Sequence, residues 1–421
     1  MIGINLWNNN WISEWFLETK YHSEIDMTIE EIKRKYEDWC LDFLNVDEYE
    51  WVDKISEFVE ENKKQFDSVV VLWIWVSALW TKAIFQAVKW KYYNELSKEK
   101  RWGYPKLHVL DNVDPTEIQN ITEILDLKKT LFIVVSKSGT TIETMAQYNF
   151  FSSEIIKKGL DIKKHFVIIT GENSYLKKES LKNELSVFDI PENIWWRFSV
   201  LTDVWLLPLA FTWVNIKKLL MWVENIKQSL FSKDIWENKA LLTALIQYHS
   251  YRELCNNITI FFPYISNLSF FSQWYKQLIW ESLGKNGKWI TLGCSQWVTD
   301  QHSQLQLYCE GPNDKLIIFL EWDDFWVDCK ISSQENISFW DLMKASKSGT
   351  QESIDNTWKL TYTIRIKKLD EETLWALIVF FETQVAILWE LLQVNAFDQP
   401  WVEAGKMITK ERLEEYKNST C

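Results

Sequence analysis

The sequence predicts an α/β protein of two similar domains, each a mainly parallel sheet sandwiched between helices. Its 421 residues exceed what one growing hydrophobic core usually holds, and 47% apolar residues suffice to fill two. Short runs rich in Val, Ile and Phe recur with helical stretches between them, the rhythm of strand–helix–strand crossovers.

Residues 1 to about 65 are polar and rich in Glu and Lys. Apolar residues at helical spacing around Ile29, Ile32 and Tyr36 predict an N-terminal helical layer there. Strands follow at Val69 to Leu72, Leu107 to Leu110, Thr130 to Val135, Phe166 to Thr170 and a short Ser186 to Phe188, each but the last leading into a helical segment. After a helical link near 215 to 250, a second series brings a strand at Thr259 to Phe262, a helix at Gln273 to Glu281 and strands at Lys315 to Leu320 and 359 to 366. Residues 374 to 391 read as a long apolar helix, and a charged helix after Ala404-Gly405-Lys406 ends the chain. In such a fold the site is expected at the carboxyl ends of the strands.

The formal charge of -13 and the absence of a basic stripe argue against nucleic acid as a partner. A small anion remains compatible where charge is local. Six cysteines form no CxxC pair or regular framework, and the apolar stretches near 69 to 79 and 201 to 214 are too short or too interrupted to span a bilayer. The expectation is a reduced cytoplasmic protein without a membrane segment.

Twenty-seven Trp stand against eleven Gly, although glycine ordinarily makes up ~7% of a chain. Trp73, Trp75 and Trp80 lie where a buried strand runs through a turn into a helix, and Trp195, Trp196 and Trp297 pose the same problem. An indole blocks the positive φ or the close backbone approach that such turns need. A source that reads UGA as glycine, translated with the standard code, produces this pattern. Most of these letters are then expected to be glycine in the living protein, with Trp274 a true aromatic.

The sharpest local motif is Val134-Val135-Ser136-Lys137-Ser138-Gly139-Thr140-Thr141-Ile142-Glu143-Thr144, an apolar strand ending in hydroxyls, a lysine and a glycine before a helix. Helix-start amides and short hydroxyl donors make a phosphate socket. The same residues also suit an ordinary Ser/Thr-rich capping turn. With glycine at 73 and 75, Ser77 sits in a second turn of this kind in the same sheet. Glu281 taken alone reads as a salt-bridged carboxylate, and His302 in Asp300-Gln301-His302-Ser303-Gln304 as a surface or capping histidine. Beside a sugar-phosphate socket they gain a chemical meaning. A carboxylate can move a proton between neighbouring carbons of an α-hydroxy carbonyl, a histidine can serve the ring oxygen, Arg197 can offset enediolate charge, and Lys406 can assist at the ring oxygen or anchor a hydroxyl. This chemistry requires no metal or cofactor, and His22, His108, His165 and His249 show no zinc-like spacing.

Five segments in order, residues 136–144, 195–202, 277–285, 301–303 and 401–406, closely resemble glucose-6-phosphate isomerase of the compact bacterial type over nearly the whole length. The resemblance implies two sugar-isomerase domains in a homodimer with a composite active site. It implies the boundaries 1–50 for an N-terminal helical segment, 51–215 and 216–398 for the domains, and 399–421 for a C-terminal helical segment. It implies Glu281 as the base between C1 and C2, His302 from the partner subunit as the ring-opening acid/base, Arg197 at the enediolate and Lys406 at the ring oxygen. Ser136, Lys137, Ser138, Thr140, Thr141 and Thr144 match the phosphate loop, Gln277 borders the sugar, Glu143 is a carboxylate that orients His302 or its neighbours, and Ser77 is a ligand residue of the first turn. Family glycines appear here as Trp73, Trp75, Trp195, Trp196 and Trp280, while Val76 replaces a further one, which puts Ser77 in doubt. An isomerase of another phosphosugar and a non-catalytic sugar-phosphate-binding protein are the alternatives. The presence of Glu281, His302 and Lys406 together weighs against the second.

Overall fold

A computed structural model describes residues 2–6, 12–38, 41, 51–89, 91–190, 202–220, 229–288, 290–324, 327–332, 336–396 and 400–419. The chain opens on a strand, β1 (Ile2–Asn5), where helix is expected. Its alternation of half-buried Ile2 and Ile4 with exposed neighbours is a period-two signal too short to stand out beside the helices Glu14–Lys20 and His22–Glu37.

The first sheet follows the predicted rhythm. Strands β2 (Ser68–Leu72), β3 (Lys106–Leu110), β4 (Thr130–Ser136), β5 (Phe166–Gly171) and β6 (Ser186–Ile190) are all parallel, in the order β3-β2-β4-β5-β6. The middle strands β2, β4 and β5 are buried throughout, as unbroken apolar runs covered on both faces require. The order turns back at β2 and β4, so the crevice at their carboxyl ends is the natural binding position.

The second sheet contains β7 (Ile258–Pro263), β8 (Thr291–Cys294), β9 (Lys315–Trp322) and β10 (Leu360–Ile366), with β1 closing its edge antiparallel to β10. Sequence reading misses β8, which is four residues long and contains Gly293. The glycine has a packing reason, since a Cβ there would lie 2.7 Å from the Ile260 side chain on β7.

Between the sheets runs the helix Glu371–Leu392, capped by Asp370, whose carboxylate accepts the Thr373 amide at 2.9 Å. It is long and apolar enough to cross a membrane, yet nearly all of it is buried against the helices His22–Glu37, Lys239–Leu254 and Ser269–Leu283. A helix apolar on every side is stable in water only in such a position. The helix Ser269–Leu283 also packs on Trp75–Val88 of the first sheet. Gln86 Oε1 accepts the Ser269 hydroxyl at 2.8 Å and the Phe270 amide at 3.2 Å, and the Trp80 and Trp274 rings lie 3.9 Å apart.

Candidate active site

Strand β4 delivers Ser136, buried, to the start of a tight loop. Its Oγ accepts the Gly139 amide at 3.1 Å and lies 3.0 Å from the Thr141 hydroxyl. The Ser138 hydroxyl oxygen accepts the Thr140 amide at 3.2 Å and the Thr140 hydroxyl at 3.1 Å. Gly139 has φ of 67°, and a Cβ there would stand 2.7 Å from that of Leu176. Only glycine satisfies both the left-handed conformation and the close approach. The helix Ile142–Lys157 then begins at Thr141, whose side chain makes no capping bond. Its first-turn amides therefore remain available to an anion, which an ordinary hydroxyl cap would have satisfied. The Thr144 hydroxyl is buried without a partner among the described residues, and Glu143 lies in the same first turn.

Behind the loop stands a support that sequence reading missed. The Thr170 hydroxyl donates to the Ser136 carbonyl at 2.6 Å and lies 2.8 Å from the Ser174 hydroxyl, while the Gly171 amide donates to the Lys137 carbonyl at 3.1 Å. The strand-end run Thr170-Gly171-Glu172-Asn173-Ser174 carried the signal.

The second half of the site comes from the helix Ser269–Leu283. The Gln277 amide Nε2 donates to Glu281 Oε1 at 3.1 Å, one helical turn away, and Gln277 Oε1 is buried without a partner among the described residues. Because Gln86 meets Ser269 while Trp80 meets Trp274, the helices Trp75–Val88 and Ser269–Leu283 run antiparallel. Continuing that register puts position 77, in the first turn of the helix that follows β2, opposite Gln277. The strands β2 and β4 are adjacent, so the helix that bears Gln277 and Glu281 packs on the helix that follows the neighbour of the loop-bearing strand.

Other expected residues are not gathered within one chain. His302 is exposed at the end of the turn Thr299–Gln301. Lys406 is exposed on the helix Pro400–Ser419, its ammonium 2.7 Å from Glu403 on the same helix. Arg197, with Trp195 and Trp196, lies outside the described residues. Just past that segment Asp203 opens a helix, buried, its carboxyl pushed up to about 7 by burial, with Asp189 adding to the shift and Lys54 opposing it. Trp280 stands exposed beside Glu281, its ring 5.1 Å from the Lys276 ammonium. Among the described residues no cluster of three His, Cys, Asp or Glu side chains is arranged to hold a metal.

Residues 49–313 match the family model "Phosphoglucose isomerase". The chain belongs to the phosphoglucose isomerase family. It is 36% identical over 411 residues to the "Probable glucose-6-phosphate isomerase" of Methanococcus maripaludis, covering 96% of this chain and 90% of that one. It is 35% identical to the glucose-6-phosphate isomerase of Carboxydothermus hydrogenoformans, covering 86% of this chain and 82% of the other. Among solved structures, a hypothetical protein from Thermus thermophilus superposes with a TM-score of 0.88 at 28% identity, covering 98% of this chain and all of that one. A glucose-6-phosphate isomerase from Chlamydia trachomatis shares the fold, with a TM-score of 0.76 at 24% identity over 87% of this chain and 74% of the other.

Proposed function

We propose that this chain interconverts D-glucose 6-phosphate and D-fructose 6-phosphate through ring opening and a cis-enediol(ate). The observation that carries the reading is the hydroxyl-rich loop at the end of β4 with its uncapped helix start, accompanied by the Gln277–Glu281 pair on a helix packed against Trp75–Val88 of the same half. The phosphate rests on the amides at 139–144 and on the hydroxyls of Ser136, Ser138, Thr140, Thr141 and Thr144, with Lys137 beside it and Ser77 from the neighbouring turn. Gln277 holds the Glu281 carboxylate through its amide N–H and offers its unpartnered carbonyl to a sugar hydroxyl. Glu281 takes the proton from C2 of the open aldose. The C2–H electron pair becomes the C1=C2 bond, and the aldehyde oxygen takes the negative charge, which Arg197 offsets. Return of the proton to C1, with the O2 proton passed to O1, yields the ketose. Ring opening is the work of His302 from a second subunit, with Lys406 at the ring oxygen and Glu143 orienting His302. No cofactor enters this scheme.

The reading includes a cytoplasmic homodimer with two sugar-isomerase domains at 51–215 and 216–398, flanked by 1–50 and 399–421. It also includes glycine in the living protein at most of the Trp positions. Support for the last point comes from the backbone: Trp102, Trp213 and Trp358 account for three of the seven described non-glycine residues with positive φ, at 50°, 63° and 61°. Bulky side chains rarely adopt that conformation, which is glycine's own.

The test is fructose 6-phosphate turnover by the chain as written and by a chain carrying Trp→Gly at 73, 75, 80, 195, 196, 280 and 297. Turnover in the glycine chain alone supports both the isomerase and the recoding. Turnover in the written chain rejects the incompatibility of those indoles with the site, and none in either folded protein rejects the substrate. Glu281→Gln is expected to lower kcat by ~10²–10⁴ with little change in KM.

A further inference from the structure

The loop after β4 does not shape itself. Its amides can face an anion only if the carbonyl oxygens that alternate with them, which repel one, are turned away and held there. Two of those carbonyls, at Ser136 and Lys137, are tied down from behind by residues 170–174 at the end of β5. The Thr170 hydroxyl donates to the Ser136 carbonyl at 2.6 Å, and the Gly171 amide donates to the Lys137 carbonyl at 3.1 Å. The Gly139 amide reaches the same Ser136 oxygen at 3.1 Å, so both of its lone pairs are engaged.

The single hydroxyl proton of Thr170 fixes the direction of a longer chain. Because that proton goes to Ser136, the Ser174 hydroxyl, 2.8 Å away, donates to Thr170, and the Ser174 oxygen in turn accepts the Lys177 amide at 3.0 Å. Hydrogen bonds thus run in one sense from the first turn of the helix Tyr175–Lys182 through two hydroxyls into the β4 loop. Bonds aligned in this way polarise one another, and Ser136, Thr170 and Ser174 are all buried away from water. The support is also built independently of the loop. The Ser174 amide donates to the Gly171 carbonyl at 3.0 Å, and Lys177 joins Glu172 to Asp189 on β6, at 2.6 Å from each. Two close approaches leave the loop no slack against it. A Cβ on Gly171 would lie 2.7 Å from the Lys137 carbonyl oxygen, and one on Gly139 would lie 3.1 Å from the Ser174 Cβ.

We propose that Thr170 and Ser174 are positioning residues that set the affinity of the β4 loop for the phosphate group of the substrate and take no part in proton transfer. The phosphate role of the loop rests on the isomerase reading. Thr170 is fully buried, so it acts through the backbone at Ser136 and Lys137 rather than by contact with a ligand. Loss of its hydroxyl orphans one lone pair of the Ser136 carbonyl and leaves the Ser174 proton without its acceptor. The carbonyl is then free to swing, the amides at 139–141 move with it, and the anion loses part of its cradle. Proton transfer falls to Glu281 on a different element, whose geometry survives once substrate is bound. The effect therefore falls on KM and leaves kcat nearly unchanged.

The test uses inorganic phosphate, titrated by calorimetry into the full chain and measured again as a competitive inhibitor in whichever background, Trp or Gly, turns over fructose 6-phosphate. Thr170→Val is expected to raise the phosphate Kd ~10-fold, and to raise KM by a similar factor with kcat within about twofold of the parent. Thr170→Ser, which keeps the hydroxyl, is expected to match the parent. Ser174→Ala is the milder change; it is expected to act in the same direction and decides the matter if Thr170→Val does not fold. Thr361→Val is the control for stability, since it removes a buried hydroxyl that donates to Asp355 at 2.6 Å in the second sheet, and its phosphate Kd is expected to equal the parent's. Unchanged phosphate affinity in the folded variants, an equal loss in Thr361→Val, or no phosphate binding by the parent each overturns the proposal. Turnover with a parent-like KM in Thr170→Val overturns the positioning role and leaves the isomerase standing. Phosphate affinity lost in Thr170→Val and restored in Thr170→Ser, in a folded chain that isomerises nothing, upholds the proposal and sinks the isomerase reading.

Discussion

Glu382 sits in the middle of the buried helix Glu371–Leu392 with both carboxylate oxygens unpartnered among the described residues. Burial alone pushes its pKa well above the usual carboxylate range. In the unfolded chain it releases its proton near pH ~4.3. Folding therefore retains a proton that the unfolded state has lost, and stability falls as pH rises above that value by on the order of 1.4 kcal/mol per unit. Glu382→Gln removes the slope, so its advantage in denaturant unfolding should be absent at pH 4 and grow between pH 5 and 7. A constant difference across that range would contradict this account. Trp358 is a second residue at odds with its place. It is 80% exposed at φ 61°, three residues past the helix Phe339–Asp355, in the left-handed conformation that glycine favours. Trp358→Gly should raise stability by ~1 kcal/mol through relief of strain, measured as a higher midpoint of thermal unfolding.

Among the elements, the phosphate loop was readable because its chemistry is local. Strand, hydroxyls, glycine and helix stand in one run of eleven residues, and the hydroxyl and amide bonds that shape the loop lie within it. Gly139→Ala there should cost ~1–3 kcal/mol from forced φ and the contact with Leu176. Because the loop amides would move, KM should rise more than kcat falls, and an unchanged KM would argue against a phosphate role for the loop. The long buried strands were equally legible from their Val and Ile runs. Strands β1 and β8 were not, because four residues carry too little periodicity and β8 owes its glycine to a neighbour, Ile260, that is distant in sequence. Thr170 and Ser174 escaped for the same reason, since their value lies in reaching Ser136 across the sheet.

At the scale of the whole molecule, the two-sheet design was legible in the repeated strand–helix rhythm, whereas the way the halves meet was not. Nothing local in Gln86 announces that it receives Ser269 and Phe270, or in Gln247 that its amide reaches Tyr275 at 2.9 Å. The packing of the Glu281-bearing helix on Trp75–Val88 depends on such long-range contacts. His302 and Lys406 are both exposed, and their sequence context alone gives no reason to bring them to the site.

The helix Ser269–Leu283 is tied at its start to Gln86 of the first half and at its middle, through the Tyr275 hydroxyl, to Gln384 on the central helix at 2.7 Å. A hinge between the halves would have to break one of these attachments or carry Glu281 away from the first half. Substrate is therefore expected to find the proposed base already in place, and closure to be confined to loops.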